Sequence, residues 1–379
     1  MHSPLHAASP NSPSVLIAAI SGRSLAAAAR RAGYRPLVAD LFCDADTVNL
    51  AERTARLSGS LAEGIDGEQI ATTLHALAQG EMPAALVYGS GFERKPEIVE
   101  VLEKAFPLAG NSAATLRFVK DPQSLSELCA EIGIQHPEIR FSAPESMDGW
   151  LNKLGGGAGG SHVRHAGQHQ LAQGQYLQRF VAGQSVSALF VADGRRAKIV
   201  GFSRQWTSPS STSPFRYGGA VRLARFPKGK RTRIAAWLDK LTRRTGLLGL
   251  CSADFIDAED GLHLIEINPR PGATIDIFDT DEAPLLTQHL RAVRGQSVPQ
   301  PTYRGAVASA IAYAAHPIDR FPEIDWPEMT ADHQSPGTTL QLDDPICTVL
   351  ARARSAAGAE RAVKHRIKDL AKHWKGEFQ

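Results

Sequence analysis

Short unbroken apolar runs alternate with helical patterns along the first third of the chain. Val15-Leu16-Ile17-Ala18-Ala19-Ile20 is the first such run, the pattern of a strand buried on both faces. Leu25 to Arg31 follows as a helix with Gly33 as its C-cap, and Arg35 to Asp40 reads as a second strand. Strand, helix and strand in that order make a βαβ unit and call for a parallel sheet. A helix over Gly67 to Gln79 and a buried strand over Ala84 to Tyr88 continue the pattern. The turns Ser21-Gly22 and Gly89-Ser90-Gly91 then fall at the carboxyl ends of strands, the edge where open α/β sheets bind ligands. Ser21, Gly22, Ser90 and Gly91 are therefore candidates for one substrate wall.

Further on the pattern changes. Asn111 to Pro137 reads as helices ending at Gly133-Ile134, with Pro137 as a boundary. Strands are expected at Glu138 to Phe141 and Gln175 to Val181, and a hairpin at Ser185 to Val191 and Ala197 to Phe202 around Asp193-Gly194. An amphipathic helix over Arg231 to Thr245 precedes a strand pair, Asp254 to Asp257 and His263 to Ile267. Ala306 to Tyr313, Thr338 to Leu342 and Ile346 to Ala351 look like strands of a small β unit, closed by a basic helix over Ala356 to Trp374 with a solvated outer face. The expected fold class is thus α/β plus α+β. Residues 1–14 are expected to be a disordered lead-in without signal-peptide features, 15–110 a Rossmann-like domain, 111–300 two α+β lobes, and 301–379 the β unit and basic helix.

Composition narrows the function. The chain has 379 residues, 43% of them hydrophobic and 21% charged, a globular balance that excludes disordered and fibrous classes. Lys and Arg exceed Asp and Glu by 42 − 39 = 3, too small an excess for a nucleic-acid partner but compatible with anionic small molecules. No apolar run reaches membrane-spanning length, so no membrane partner is expected. Cys43, Cys129, Cys251 and Cys347 lie far apart with no CxxC pair, which fits a reducing cytoplasm. The first turn, Ser21-Gly22-Arg23-Ser24-Leu25-Ala26, is not a GxGxxG fingerprint. A nicotinamide or flavin dehydrogenase is accordingly disfavoured, although Asp40 follows the second strand. The first layer is read instead as carrying part of another site.

Three segments carry chemistry. In Leu264-Ile265-Glu266-Ile267-Asn268-Pro269-Arg270, alternation along a strand puts Glu266 and Asn268 on one face. Asp254, on the preceding strand of a tight hairpin, can fall beside them. Two carboxylates and an amide oxygen make a hard oxygen site of the kind magnesium prefers, and Arg270 can stabilise charge on a transferring phosphoryl group. The second segment is Lys153 followed by Leu154 and the run Gly155-Gly156-Gly157-Ala158-Gly159-Gly160-Ser161. Its free backbone N–H groups can wrap phosphate oxygens beside the lysine; taken alone, a plain glycine linker reads equally well. The third, Gln175 to Gly183, is an extended strand able to offer backbone groups to a purine edge.

In this order the three segments resemble the ATP-grasp superfamily, over roughly residues 15–350, with Glu-Ile-Asn-Pro-Arg the most specific part. The resemblance implies a Rossmann-like first domain, two α+β lobes enclosing ATP, a small C-terminal β unit, and ATP-dependent ligation of a carboxylate to an amine. Under it, Asp254, Glu266 and Asn268 hold magnesium, or manganese in its place. Lys153 contacts the phosphates under a lid that includes Gly156, Gly157, Gly159, Gly160 and Ser161. Gln178, Arg179, Phe180 and Val181 flank adenine, and Arg270 touches phosphate or the acyl-phosphate. Two departures stand out. The family's Asp-Lys order is Lys120-Asp121-Pro122 here, so Lys120 is the candidate second phosphate lysine, and the hinge strand has Gln178-Arg179 where many members have an acid.

On the substrate side, Gln205 to Gly219 reads as a long Ser/Thr/Pro-rich loop in which Arg216 can clamp a carboxylate and Trp206 or Tyr217 can pack on an aromatic ring; a disordered surface loop is the competing reading. His162, His165 and His169 lack the cysteine partners of a zinc site and are read as mobile loop histidines. The whole pattern is similar to ligases that add glutamate to tyramine or tyrosine in methanofuran- or methylofuran-type one-carbon cofactor synthesis. The expected partners are an amino acid such as glutamate and an amine, with a homodimer as an open option. Ligases acting on other amino acids, and an ATP-binding regulatory or scaffold protein without ligase activity, are the rival readings.

Overall fold

The computed structural model describes residues 9, 11–167 and 170–375. Most of the expected lead-in, residues 1–8 and 10, lies outside them, as does His169.

The first elements are β1 (Ser14–Ala19), α1 (Arg23–Arg31), β2 (Arg35–Asp40), α2 (Ala45–Leu50), β3 (Arg53–Arg56), the short pair β4 (Gly59–Ser60) and β5 (Gly64–Ile65), α3 (Ile70–Ala78), β6 (Leu86–Tyr88) and α4 (Pro96–Ala105). The order β3-β2-β1-β6 is a parallel sheet. All six residues of β1 are buried because both its faces are covered, as crossover helices require. Leu16 and Ala18 join a core with Leu74, Ile98 and Leu102 of the flanking helices. Val15 and Ile17 face the other way, into a core shared with Leu189, Leu250, Phe278 and Leu286.

Next come α5 (Ala113–Lys120), α6 (Pro122–Ile132), β7 (Ile139–Arg140), β8 (Trp150–Leu154), β9 (Arg164–His165) and β10 (Gln175–Arg179), the strands ordered β7-β10-β8-β9. Asp121 separates the two helices: its carboxylate caps α6 through the Ser124 N–H at 2.8 Å, with Pro122 at the first helical position. That break leaves Lys120 at the very end of α5. Trp150–Leu154, which carries Lys153 up to the glycine run, is a strand paired with β10, and the guanidinium groups of Arg140 and Arg179 lie over its Trp150 ring.

The remaining elements are β11 (Gln184–Asp193), β12 (Ala197–Thr207), β13 (Tyr217–Leu223), α7 (Lys228–Thr245), β14 (Leu248–Ala258), β15 (Gly261–Asn268), α8 (Ile275–Phe278), α9 (Leu285–Val293), β16 (Ala306–Tyr313), β17 (Thr330–Ala331), β18 (Pro345–Ala353) and α10 (Ala356–Lys375). They build one eight-stranded sheet, β15-β14-β11-β12-β13-β16-β18-β17. The strands expected of a small C-terminal β unit continue this sheet: β16 pairs with β13 from Gly219↔Ala310 onward. Thr338 to Leu342 is not a strand. Positive φ at Gly337 and Asp343 breaks the extended backbone on either side, and the edge of β18 is taken by β17 instead. The expected loop over 205–219 shrinks to residues 208–216 between β12 and β13. α10 buries Ala359, Val363, Leu370 and Trp374 in a core with Ile346 and Val349 of β18. Among the described residues no helix is long and apolar enough to cross a membrane.

Candidate active site

β14 and β15 pair so that Asp254 stands opposite Glu266 and Ser252 opposite Asn268. The three polar side chains share one face, while Ala253, Phe255 and Ile267 are buried on the other. Lys120, from the end of α5, reaches into this group. Its Nζ donates to Glu266 Oε1 and, at 2.9 Å, to Asn268 Oδ1. The Asn268 amide donates in turn to Asp254 Oδ2 at 3.1 Å, and the Gln205 amide approaches Asp254 Oδ1 at 3.4 Å. The two carboxylates are driven apart. Burial works to raise Glu266, but the Lys120 and Lys153 charges outweigh it and hold the group at about 2. Burial and the Glu266 charge push Asp254 up to about 6.

Lys153 lies on β8 and is buried; its Nζ donates to Gln178 Oε1 at 3.0 Å across the β8–β10 pair. Desolvation lowers its pKa. Lys120, Lys153, Gln178, Glu266, His136 and His162 line one cleft with ≈ 400 Å³ of unfilled space. Of the four hinge candidates, only Gln178 lines it. The Arg179 guanidinium turns outward over Trp150 and donates to the Asp148 carbonyl at 2.9 Å. Phe180 and Val181 border a separate open depression with Glu259, Asp260 and His263. The backbone N–H groups of Arg179 and Phe180 are bonded to the Glu138 and Gly149 carbonyls. Neighbouring backbone thus takes these two N–H donors, which removes them, though not the strand's carbonyls, from the expected offer to a purine edge.

The glycine loop lies down over the cleft. Gly156, at φ +69°, packs against the Glu93 carbonyl, where a Cβ would come within 2.6 Å, and Gly160, at φ +72°, leaves 2.1 Å to the Phe215 carbonyl. Only glycine fits both the left-handed backbone and these approaches. Gly157 faces the His162 ring. The Gly159 carbonyl accepts from the Tyr217 N–H at 2.8 Å, while Ser161 is exposed.

Residues 124–274 match the family model of the ATP-grasp domain. Over those residues the chain is similar to an ATP-grasp domain. The likeness of fold extends beyond the matched residues. An L-amino acid ligase from Bacillus licheniformis superposes with a TM-score of 0.70 at 13% identity, covering 95% of this chain and 98% of that one. The biotin carboxylase domain of Hydrogenobacter thermophilus 2-oxoglutarate carboxylase, solved with MgADP and bicarbonate, gives 0.69 at 13% identity over 92% of this chain and 89% of that one. Among curated sequences, the carbamoyl phosphate synthase large chain of Rubrobacter xylanophilus is 23% identical over 319 residues, 73% of this chain and 29% of the relative. The chain spans under a third of the length of the curated relatives it matches.

The site meets the first sheet at Arg270. Its Nε donates to Glu93 Oε1 at 2.7 Å, and Glu93 Oε2 accepts from the N–H groups of Gly91 (2.7 Å) and Phe92 (3.0 Å). Sequence reasoning missed Glu93: its place two residues beyond Gly91 was the one signal available, and its burial and its pairing with Arg270 appear only in the fold. Arg270 and the Ser90-Gly91 turn are thereby joined. The Ser21-Gly22 turn is occupied differently: the Gly22 N–H donates to Asp40 at 2.8 Å and the Ser21 hydroxyl to Asp332 at 3.4 Å. Arg216 departs furthest from expectation. It is buried, pairs with Asp343 at 2.8 Å, donates to the Ser208 carbonyl at 2.9 Å, and stacks 3.7 Å above the Tyr313 ring. Its charge ties residues 208–216 to the C-terminal strands, which corrects the expected carboxylate clamp. Tyr217 is half-buried; burial and the nearby Tyr313, Asp254 and Asp276 raise its phenol. Trp206 joins the core under α10. Among the described residues no three His, Cys, Asp or Glu side chains are grouped to hold a metal. The candidate cation site is two carboxylates and an amide.

Proposed function

We propose that this chain is an ATP- and magnesium-dependent ligase that joins a carboxylate to an amine through an acyl-phosphate. One observation carries the reading: Asp254, Glu266 and Asn268 present oxygens from a single sheet face, with Lys120 already held against two of them. An ammonium seated on Glu266 and Asn268 marks a place built for positive charge, and the hard, oxygen-only donor set suits magnesium or manganese. Bound there, the ion would offset charge on the terminal phosphates. With the ion on Glu266 and Asn268, Lys120 would be free to meet a phosphate oxygen, and Lys153 would supply a second point charge under the glycine loop.

A carboxylate oxygen of the acid substrate attacks the terminal phosphorus of ATP, and ADP leaves. The amine then attacks the carbonyl carbon, phosphate leaves, and the proton shed by the amine passes to phosphate or solvent. Arg270, oriented by Glu93, stabilises charge on the transferring group at the meeting of the cleft with the first sheet. The Ser90-Gly91 turn lies on that side and is the better supported of the two substrate-wall candidates.

For substrates we favour glutamate as the acid and tyramine or tyrosine as the amine, in methylofuran-type cofactor synthesis. Sequence resemblance and the fold shared with an L-amino acid ligase support this. Three buried cysteines without disulfides accord with a cytoplasmic setting, and the dimer of the Hydrogenobacter domain makes a homodimer the assembly to test first. The deciding experiment measures ADP release over pairs of amino acids and amines with magnesium, with mass spectrometry of the product. Release that requires both substrates is expected. Nucleotide binding without turnover for any pair would instead favour a regulatory protein.

A further inference from the structure

His162 is the one member of the His162, His165 and His169 group that lines the cleft. It follows directly on the glycine lid, and its ring fills the space beside Gly157, where a Cβ would come within 2.5 Å of it. Its Nδ1 is buried with no hydrogen-bond partner. A polar nitrogen shut away in this manner is costly, and the cost is recovered when something in the cleft pairs with it. The Ala158 backbone and the charges of Glu266, Lys153 and Lys120 act on His162, which sets it toward the end of the cleft where phosphates are proposed. The other cleft histidine, His136, also has an unpartnered Nδ1, but it feels Lys153 and His263 instead.

We propose that His162 is a nucleotide-contacting residue of the lid, its ring in the Nδ1–H tautomer and donating to a phosphate oxygen when nucleotide binds. This rests on the ATP reading above and adds a side-chain donor to the backbone N–H groups of the loop. Burial holds the free ring neutral, its pKa down at about 4, so one ring nitrogen carries a proton to donate and no charge has to be buried in the empty cleft.

The test is calorimetry of MgADP on the full chain with wild type, His162→Ala and His162→Gln, joined to ¹⁵N spectroscopy of the histidine rings. Wild type is expected to bind. His162→Ala should weaken MgADP at least about tenfold, the loss of one hydrogen bond to a charged acceptor. His162→Gln, which keeps an N–H donor, should recover most of the affinity, and the Nδ1 resonance absent from the alanine variant should shift on adding MgADP. Equal affinity in wild type and His162→Ala overturns the inference while leaving the ATP reading intact. So does a glutamine variant as weak as alanine with no movement of the resonance, which would make the role structural. Failure of wild type to bind any magnesium nucleotide removes the ATP reading itself, and this inference with it. Should the alanine variant not fold, the glutamine variant and the wild-type resonance decide.

Discussion

Two clusters of buried charge lie at the joints of this molecule, and they are built to opposite ends. At the first, Arg23 from the start of α1 is clasped by Asp276 through two contacts of 2.6 Å and by Asp332 through contacts of 3.0 and 2.9 Å. These residues come from the first sheet's helix, α8 and the turn after β17, so the clasp fastens three parts of the chain. Asp332 adopts φ +57° to reach it. At the second, Lys120, Asp254, Glu266 and Asn268 are linked by single contacts, beside a cleft. Both contain a cation among carboxylates. The difference is saturation: the Arg23 clasp uses both oxygens of each partner, whereas in the Lys120 group Glu266 has one oxygen engaged among the hydrogen bonds described and its side chain stays partly exposed beside the cleft. Buried charge marks a site only where its bonding capacity is left for something that arrives later.

The comparison can be broken by mutation. Glu266→Ala should reduce ligase turnover by roughly two to three orders of magnitude with an unchanged melting temperature; ADP release and thermal unfolding read the two halves. Full turnover would remove the cation site. Arg23→Ala should do the reverse, costing about 3–5 kcal/mol of stability by stranding two carboxylates, as urea unfolding would show. A variant as stable as wild type would mean the clasp does not fasten the joint. Lys153→Ala should weaken MgATP roughly tenfold to a hundredfold in calorimetry, since Gln178 is its only direct partner among the hydrogen bonds described. Arg216→Ala sorts with the clasp despite its place near the cleft: a stability loss of about 1–3 kcal/mol is expected, matched by Asp343→Ala and not additive with it. A selective rise in KM for the acid substrate, with stability kept, would restore the carboxylate clamp.

The smallest effect tests the surroundings of the clasp by pH. Burial, with Asp332 and Asp40 adding to it, raises Asp44 from 3.8 to about 6. The folded state therefore holds this proton more tightly than the unfolded chain. The stability so conferred is complete below pH 3.8 and is lost as pH rises through about 6. Asp44→Asn, which keeps the cap on α2, should match wild type at low pH and exceed it by on the order of 1–2 kcal/mol above pH 6. Unfolding curves that stay parallel at every pH would show that Asp44 bears no such penalty.

What sequence alone determined follows from short-range geometry. A strand repeats every two residues, so Glu266 and Asn268 had to share a face with Ile267 on the other, and a tight turn at Asp260-Gly261 had to bring Asp254 alongside; the expected burial of Ile265 fails, because a register shift beside Asp254 gives the core position to Leu264 and leaves Ile265 lining the cleft. The continuous apolar run of β1 likewise announced a sheet covered on both sides. Tertiary structure alone decided which distant groups would meet these. Lys120 is 146 residues from Glu266 and Glu93 is 177 from Arg270, and no local period encodes such pairings. The same holds for Arg216, whose charge suggested a ligand until a turn 127 residues on supplied Asp343. His162 looked like loop because glycines precede it, yet the lid folds its ring inward. A side chain's type and spacing set what it can bond to; the folded chain sets which partner reaches it first.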